Sequence, residues 1–219
     1  MTPTSQIYVL TNNSLLLDAG QANQGDVLQI QKKIWALAAH LQHTNEFTDI
    51  VPGMNSLTLY LKFAADLDKW QSALAQLWED IEATSFKGTH HNIKTNYQGE
   101  DLNYVAKTNN LTPAQVIELH SQATYHVLFL GFQPGFAYLY GLYSRLYIPR
   151  RDIPRTKVPK GAIALGAKQT AIYPAESPGG WQIIGHTDTK LFDSTQPNPC
   201  LFKPGDTLTF ININAEQGE

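Results

Sequence analysis

A single cysteine, Cys200, is all the thiol this sequence offers. One thiol cannot close an intrachain disulfide, and with no Cys-x-x-Cys pair or Cys/His cluster no structural zinc site is expected. An excess of either charge is also missing: 16 Lys and Arg stand against 19 Asp and Glu, a net charge of -3. Such a balance gives no long-range pull toward a nucleic-acid backbone or an anionic membrane surface, so neither is expected as a partner. Long apolar runs are absent. In the opening stretch MTPTSQIYVLTNNSLLLDAG no basic leader appears, and Asn12 and Asn13 break the apolar residues well short of a signal or membrane-spanning length. A cytoplasmic location is the expectation. There is no GxxxxGK[ST] loop, no GxGxxG after a strand, no HExxH and no GxSxG elbow, so self-contained nucleotide, zinc-protease and serine-hydrolase sites are unsupported. His90 and His91 are adjacent and would point to opposite faces of a strand, so no metal is assigned.

What is present suffices for packed cores: 219 residues, 42% hydrophobic and 11% aromatic, allow one large domain or two modest ones. Ile7 to Leu10 and Leu15 to Leu17 read as strands around Thr11-Asn12-Asn13-Ser14, where paired Asn residues tolerate positive φ. Val27, Ile30, Ile34, Leu37, Ala38 and Leu41 recur at helical spacing over residues 24–43. Phe47 to Val51 and Leu57 to Phe63 supply two more strands, joined by Pro52-Gly53-Met54-Asn55. Trp70, Leu74, Leu77, Trp78 and Ile81 mark a second helix. The order ββαββα predicts a small α+β domain over 1–85 with both helices on one sheet face.

From Phe86 the texture changes to short apolar runs punctuated by Gly and Pro, the look of a β-barrel over 86–219. Val127 to Leu130, Ala162 to Leu165, Gln182 to Ile184 and Leu208 to Ile213 are its clearest strands. Two helices interrupt it. Asp101 to Lys107 forms a short one, and Thr112-Pro113-Ala114-Gln115 opens another with a capping box and Pro at its first position. Ala215 to Glu219 reads as a frayed tail.

Three segments carry candidate chemistry. In Gly131-Phe132-Gln133-Pro134-Gly135-Phe136-Ala137-Tyr138-Leu139, aromatics in a Gly-Pro turn either plug a barrel mouth or form a binding loop, and both readings stand. The stretch from Pro149 to Lys160 sets five cations against one carboxylate on a proline-stiffened course. Arg150, Arg151 and Arg155 are candidate forks for a carboxylate or phosphate, the alternative being a solvated loop with local ion pairs. Gln169, Thr170 and Tyr173, the turn Gly179-Gly180 and His186 form the third set: Gln169 suits an amide or lactam edge, and His186 offers an imidazole to shuttle protons.

The segments GFQPGFAYL, PRRDIPRTKVPKGAIALGAKQTAIYP and SPGGWQIIGHT, in this order and spacing, resemble the 5-oxoprolinase B-component family, also known as KipI or allophanate hydrolase subunit 1. The likeness extends to Ile50–Ser56, GEDLNYVA and VIELHS and covers nearly the whole chain. It implies a small α+β domain followed by a cyclophilin-like β-barrel, carboxyltransferase subdomains C and D. It also implies work with a KipA-like chain, the C component of 5-oxoprolinase, and with a separate A component, in ATP-dependent opening of 5-oxo-L-proline to L-glutamate. On that reading Arg150, Arg151 or Arg155 holds the substrate carboxylate or a phosphate, Gln169 reads the lactam, and His186 or Tyr173 moves a proton. Phe132, Pro134, Gly135, Phe136, Tyr138, Thr170, Gly179 and Gly180 line the substrate. Without a phosphate loop, ATP is expected at a site completed by or located on a partner, and Met54-Asn55 in place of Met-Lys excludes biotin attachment at that position. Where the family turn reads Gln-Thr-Gly-Ile-Tyr-Pro, this chain has Ala171, which would be strained if that position required positive φ. The resemblance also admits a KipI-like inhibitor of a sensor histidine kinase, a component of an allophanate- or urea-processing carboxyltransferase-like enzyme, and a structural component whose partner does all the chemistry.

Overall fold

The computed structural model describes residues 5–20, 27–83 and 88–213. The expected helix start at residue 24, the change of texture at Phe86 and the tail Ala215–Glu219 lie outside them. The chain divides into two compact units, Met1–Phe86 and Lys87–Glu219.

In the first unit β1 (Gln6–Thr11), β2 (Ser14–Asp18), β3 (Phe47–Gly53) and β4 (Ser56–Leu61) form an antiparallel sheet in the order β1-β2-β4-β3. Period-two alternation buries Leu15 and Leu17 from β2 and Leu57, Leu59 and Leu61 from β4. Helix α1 (Val27–Gln42) lays Ile30, Ile34, Leu37 and Leu41 on them, and α2 (Leu67–Asp80) adds Trp70, Leu74 and Trp78 to the same cluster. The ββαββα order is therefore as the periodicity predicts. Details differ at the turns. Neither Asn12 nor Asn13 adopts positive φ; the Thr11 hydroxyl instead bonds to Asn13 Oδ1 at 3.0 Å and meets the Ser14 hydroxyl at 2.6 Å. The second hairpin is shorter than expected, turning on Met54 and on Asn55 at φ 50. Strand β4 stops at Leu61 because Phe63 caps a 3₁₀ turn, Ala64–Asp66, and is left exposed.

The second unit contains β5 (His90–Thr95), α3 (Leu102–Thr108), α4 (Pro113–Gln122), β6 (Tyr125–Leu130), β7 (Ala137–Tyr140), β8 (Arg155–Val158), β9 (Ala162–Gly166), β10 (Gln169–Ile172), β11 (Ser177–Gly179), β12 (Gln182–His186) and β13 (Thr207–Asn212). Seven strands follow the order β12-β9-β10-β7-β6-β13-β5, all antiparallel except the parallel β13–β5 pair. The two ends meet through Asn96 and His186, which exchange both backbone hydrogen bonds at 2.9 Å, and the sheet becomes a nearly closed, cyclophilin-like barrel. Strands β8 and β11 form a separate ribbon. Val127, Leu139, Ile163, Leu165, Ile184, Leu208 and Phe210 fill the interior, joined by Val105 from α3 and Val116 from α4. Helix α4 starts where the sequence indicates, with Thr112 and Gln115 making both bonds of the capping box.

The concern over Ala171 is resolved by its place in β10, where it is buried opposite Ala164 in extended backbone that needs no glycine. Positive φ falls on Ala167 instead, at 54° in the β9–β10 turn. A Cβ in the left-handed region costs about 1–2 kcal/mol, against the extra backbone entropy a glycine loses on folding. Ala167→Gly is expected to stabilise the barrel by about 0.5–1 kcal/mol, read as a higher denaturant midpoint with unchanged slope.

Candidate functional site

The arginine-rich segment is anchored by a carboxylate far away in sequence. Asp101, 5% exposed at the start of α3, accepts Arg155 Nη2 at 2.7 and 2.8 Å, Arg151 Nη1 at 3.4 Å and the Ile183 backbone N–H at 2.6 Å. Its own N–H donates to the Ile183 carbonyl at 2.8 Å. Arg155 is further held by Glu100 at 2.8 Å and donates to the Trp181 carbonyl at 3.4 Å. Its fork is thus consumed inside the protein, and the expectation that it binds a substrate anion gives way to a structural role. Arg151 is partly committed, with its backbone N–H on the Gly180 carbonyl at 2.7 Å. Arg150 lies with its guanidinium 5.4 Å from the Trp181 ring centre and has no carboxylate partner among the described residues.

The aromatic loop divides into a buried part and an exposed part. Phe136, 2% exposed, packs edge-on against Tyr173 at 5.3 Å, Tyr138 at 5.1 Å and Trp181 at 6.0 Å, and is a plug. Gly135 sits beside it at φ +82, where a side chain would crowd Phe192 at 2.9 Å. Phe132, at φ 68 and 62% exposed, and the exposed Pro134 present the surface of the loop. Tyr138 stacks on Phe129 at 4.4 Å. Tyr173 is buried, with Gly179 leaving room for its hydroxyl. Burial pushes its phenol up, an effect partly offset by the Trp181 backbone N–H. A phenol so placed gives up its proton reluctantly.

Two cavities of 370 Å³ each flank this region. The first is lined by Tyr104, Pro149, Arg150, Arg151, Asp152, Ile153 and Gln182. Gln182, 2% exposed, donates Nε2 to the Pro149 carbonyl at 3.2 Å, while its Oε1 is buried without a partner among the described residues. The second is lined by His186 with Asn96, Gln98, Glu100 and Pro159 among others. His186 Nε2 lies 3.0 Å from the Lys160 carbonyl, which can only accept, so that nitrogen carries the proton. Nδ1 is left as the basic nitrogen, 3.8 Å from the exposed Asp188.

Thr170 does not join either cavity. It is fully buried, donating to the Ala164 carbonyl at 3.1 Å, and this direction obliges it to accept from His120 Nε2 at 3.0 Å. His120 Nδ1 in turn accepts the Tyr97 hydroxyl at 2.7 Å. The run from Tyr97 through His120 and Thr170 to Ala164 is complete only for a neutral imidazole, and burial lowers the His120 pKa to about 3. The substrate role expected of Thr170 is replaced by core architecture. Gln169 begins β10, half-buried opposite Gly166, away from the lining of both cavities. Arg150 and Arg151 are therefore brought together in one cavity, His186 stands in the other, and Gly179, paired with Arg155, and Gly180, whose carbonyl accepts the Arg151 N–H, lie beside the arginine segment. Gln182 carries no mark in the sequence, where it reads as an ordinary strand residue.

Among the described residues no group of three or more His, Cys, Asp or Glu is placed to hold a metal ion, and no helix is long and apolar enough to cross a membrane. His90 and His91 separate on β5, one to the Thr207 hydroxyl at 2.9 Å and the other to Asp206 at 3.1 Å.

Residues 5–202 match the family described as carboxyltransferase domain, subdomain C and D. The chain belongs to that family. It is 44% identical to the B subunit of 5-oxoprolinase from Haemophilus influenzae over 84% of this chain and 88% of that protein. The solved structure of TTHA0988 superposes with a TM-score of 0.78 at 31% identity, covering 91% of this chain, which spans only 39% of that longer one. The urea amidolyase of K. lactis superposes with a TM-score of 0.80 at 18% identity over 99% of this chain and 15% of that one, a likeness of fold alone. The carboxyltransferase fold thus places the arginine segment, the aromatic plug and both cavities in the barrel subdomain.

Proposed function

We propose that this chain is the B component of an ATP-dependent 5-oxoprolinase, opening 5-oxo-L-proline to L-glutamate in an assembly with a KipA-like C component and an A component. The observation that carries the reading is the 44% identity to a 5-oxoprolinase B subunit over 88% of its length. Arg150 and Arg151 offer a carboxylate anchor in one cavity; His186 lines the other, so its Nδ1 is assigned no contact with a substrate held by Arg150. The Arg150 cavity fits ATP poorly: two guanidinium groups are offset by Asp152, too little positive charge for a triphosphate. We therefore place ATP on a partner and route no step of this chain through it.

The test is glutamate release from 5-oxo-L-proline, with and without ATP, by the chain alone and by the chain mixed with its presumed partners. Turnover is expected only in the complete, ATP-containing mixture. A verified, folded complex that releases no glutamate overturns the reading and moves it toward protein binding through the exposed Phe132.

A further inference from the structure

The sheet of the first unit has two edges, β1 and β3, and they are finished differently. Two bonds set the direction of its ladders. The Ala19 N–H donates to the Asn55 carbonyl at 2.9 Å and the Leu61 N–H to the Asn13 carbonyl at 2.8 Å, so the odd-numbered residues of β2 spend their backbone groups on β4. Leu16 and Asp18 therefore bond to Tyr8 and Gln6, and the alternation turns the Ile7 N–H, the Ile7 carbonyl and the Val9 N–H away from the sheet. On β3 the same alternation turns Ile50 and Pro52 outward. No free donor is left there: Asp49 Oδ1 takes the Ile50 N–H at 2.9 Å, and proline has none.

Strand β1 has no such protection. Gln6-Ile7-Tyr8-Val9-Leu10-Thr11 contains neither charge nor proline. Tyr8, Val9 and Leu10 are 44%, 47% and 50% exposed, and among the described residues no backbone group outside β2 bonds to the strand. An uncharged apolar edge of this kind is a template for one more strand.

The strand is complementary to itself. Antiparallel pairing about a two-fold axis at Tyr8 sets the Val9 N–H of each copy against the Ile7 carbonyl of the other, and Tyr8 against Tyr8. Centring the axis on Ile7 would carry Val9 past the start of the strand, and centring it on Val9 would set Ile7 against Thr11, whose groups face Ser14. Without charge on β1, no like charges are opposed, and a cross-strand aromatic pair is favourable. We infer that two copies of this chain associate through β1 in this register, forming one continuous sheet in the order β3-β4-β2-β1-β1-β2-β4-β3. Tyr8 pairs with Leu16, on the side opposite the buried Leu15 and Leu17, so the helices of both copies lie on one side of the joined sheet and both Tyr8 side chains on the other. Because the β3 edge is blocked, association closes at a dimer and does not run into a filament. Neither β1 nor Tyr8 belongs to the arginine segment or to either cavity beside it, so the pairing is independent of the function proposed above.

Sedimentation equilibrium of the full chain tests the pairing. A contact one strand wide is small beside a standard interface, so a monomer–dimer equilibrium in the micromolar range is expected in place of a permanent dimer. Tyr8→Lys and Tyr8→Glu each oppose like charges at the axis and should weaken association by about tenfold or more. Mixed in equal amounts, the two variants should associate again at least as tightly as the wild type, which also shows that both are folded. A chain that stays monomeric into the sub-millimolar range, association untouched by either variant, assemblies larger than dimers, or variants that fail to rescue each other overturns the inference. So does a monomer in which Tyr8→Lys blocks uptake of a different chain, since the edge then serves another occupant.

Discussion

Asp101→Ala is expected to cost the barrel about 3–5 kcal/mol, because it strands a largely buried guanidinium and a backbone donor together. Arg155 has a side chain only 14% exposed and spends two contacts on that carboxylate, and the Ile183 N–H has its 2.6 Å acceptor there. Glu100 stays in place but is 61% exposed and screened by water, so it compensates little. Asp101→Asn keeps an acceptor for Ile183 while losing the charge, and should fall between the wild type and Ala. Adding Arg155→Met to Asp101→Ala should recover part of the loss, because a buried pair removed together leaves no unpaired charge. Urea unfolding of the four proteins checks the order. A loss below about 1 kcal/mol for Asp101→Ala would show that the cluster behaves as an ordinary surface pair.

The barrel is also expected to lose stability as pH falls below about 6.5, and His120 is the reason. In the unfolded chain its imidazole takes a proton at the ordinary value of 6.5, whereas in the folded barrel burial delays protonation to about 3. Between those values the unfolded state binds more protons, so acid favours unfolding. The stabilisation is fully present above 6.5 and is lost progressively down to about 3, with a slope approaching about 1.4 kcal/mol per pH unit. The charged ring would turn a donor toward the Tyr97 hydroxyl and sit 4.4 Å from the Phe210 ring, with no carboxylate partner among the described residues. Urea midpoints between pH 7 and 5, above the usual carboxylate range, isolate the effect. His120→Gln should be less stable at pH 7 yet show a flatter profile, and an equally steep profile in that variant would assign the acid sensitivity elsewhere.

The parts of the fold written plainly in the sequence are those with a local period. Ile30, Ile34, Leu37 and Leu41 repeat at the helical interval and all face the first sheet, and Thr112 with Gln115 fixes the start of α4. Strands β5, β7, β8, β10 and β11 are not legible there. β10 is buried at nearly every position, which erases the alternation that marks a one-sided strand, while β8 and β11 are too short to show a period. Among the candidate residues, type is easier to read than allegiance. Arg155 looks in the sequence like a free fork, but the carboxylate that claims it lies 54 residues earlier. Thr170 looks like a polar wall residue because its imidazole partner is 50 residues away in α4. Gln182 is the opposite case: nothing in its neighbourhood along the chain marks it, and only the Pro149 carbonyl gives its amide a direction.

The parallel pairing of β13 with β5 governs how the barrel must be made. His90 and Thr207 are 117 residues apart, and β13 is the strand that lies between β5 and β6. During synthesis, nearly all of the barrel leaves the ribosome before the strand that joins those two edges exists. Until Thr207–Asn212 emerges, β5 and β6 present unpaired backbone to any neighbouring polypeptide. Closure is then a late, long-range event, the kind that folds slowly and draws on chaperones. A nascent chain stalled short of Thr207 lacks the strand that joins β5 to β6, so the barrel cannot close until that strand is made.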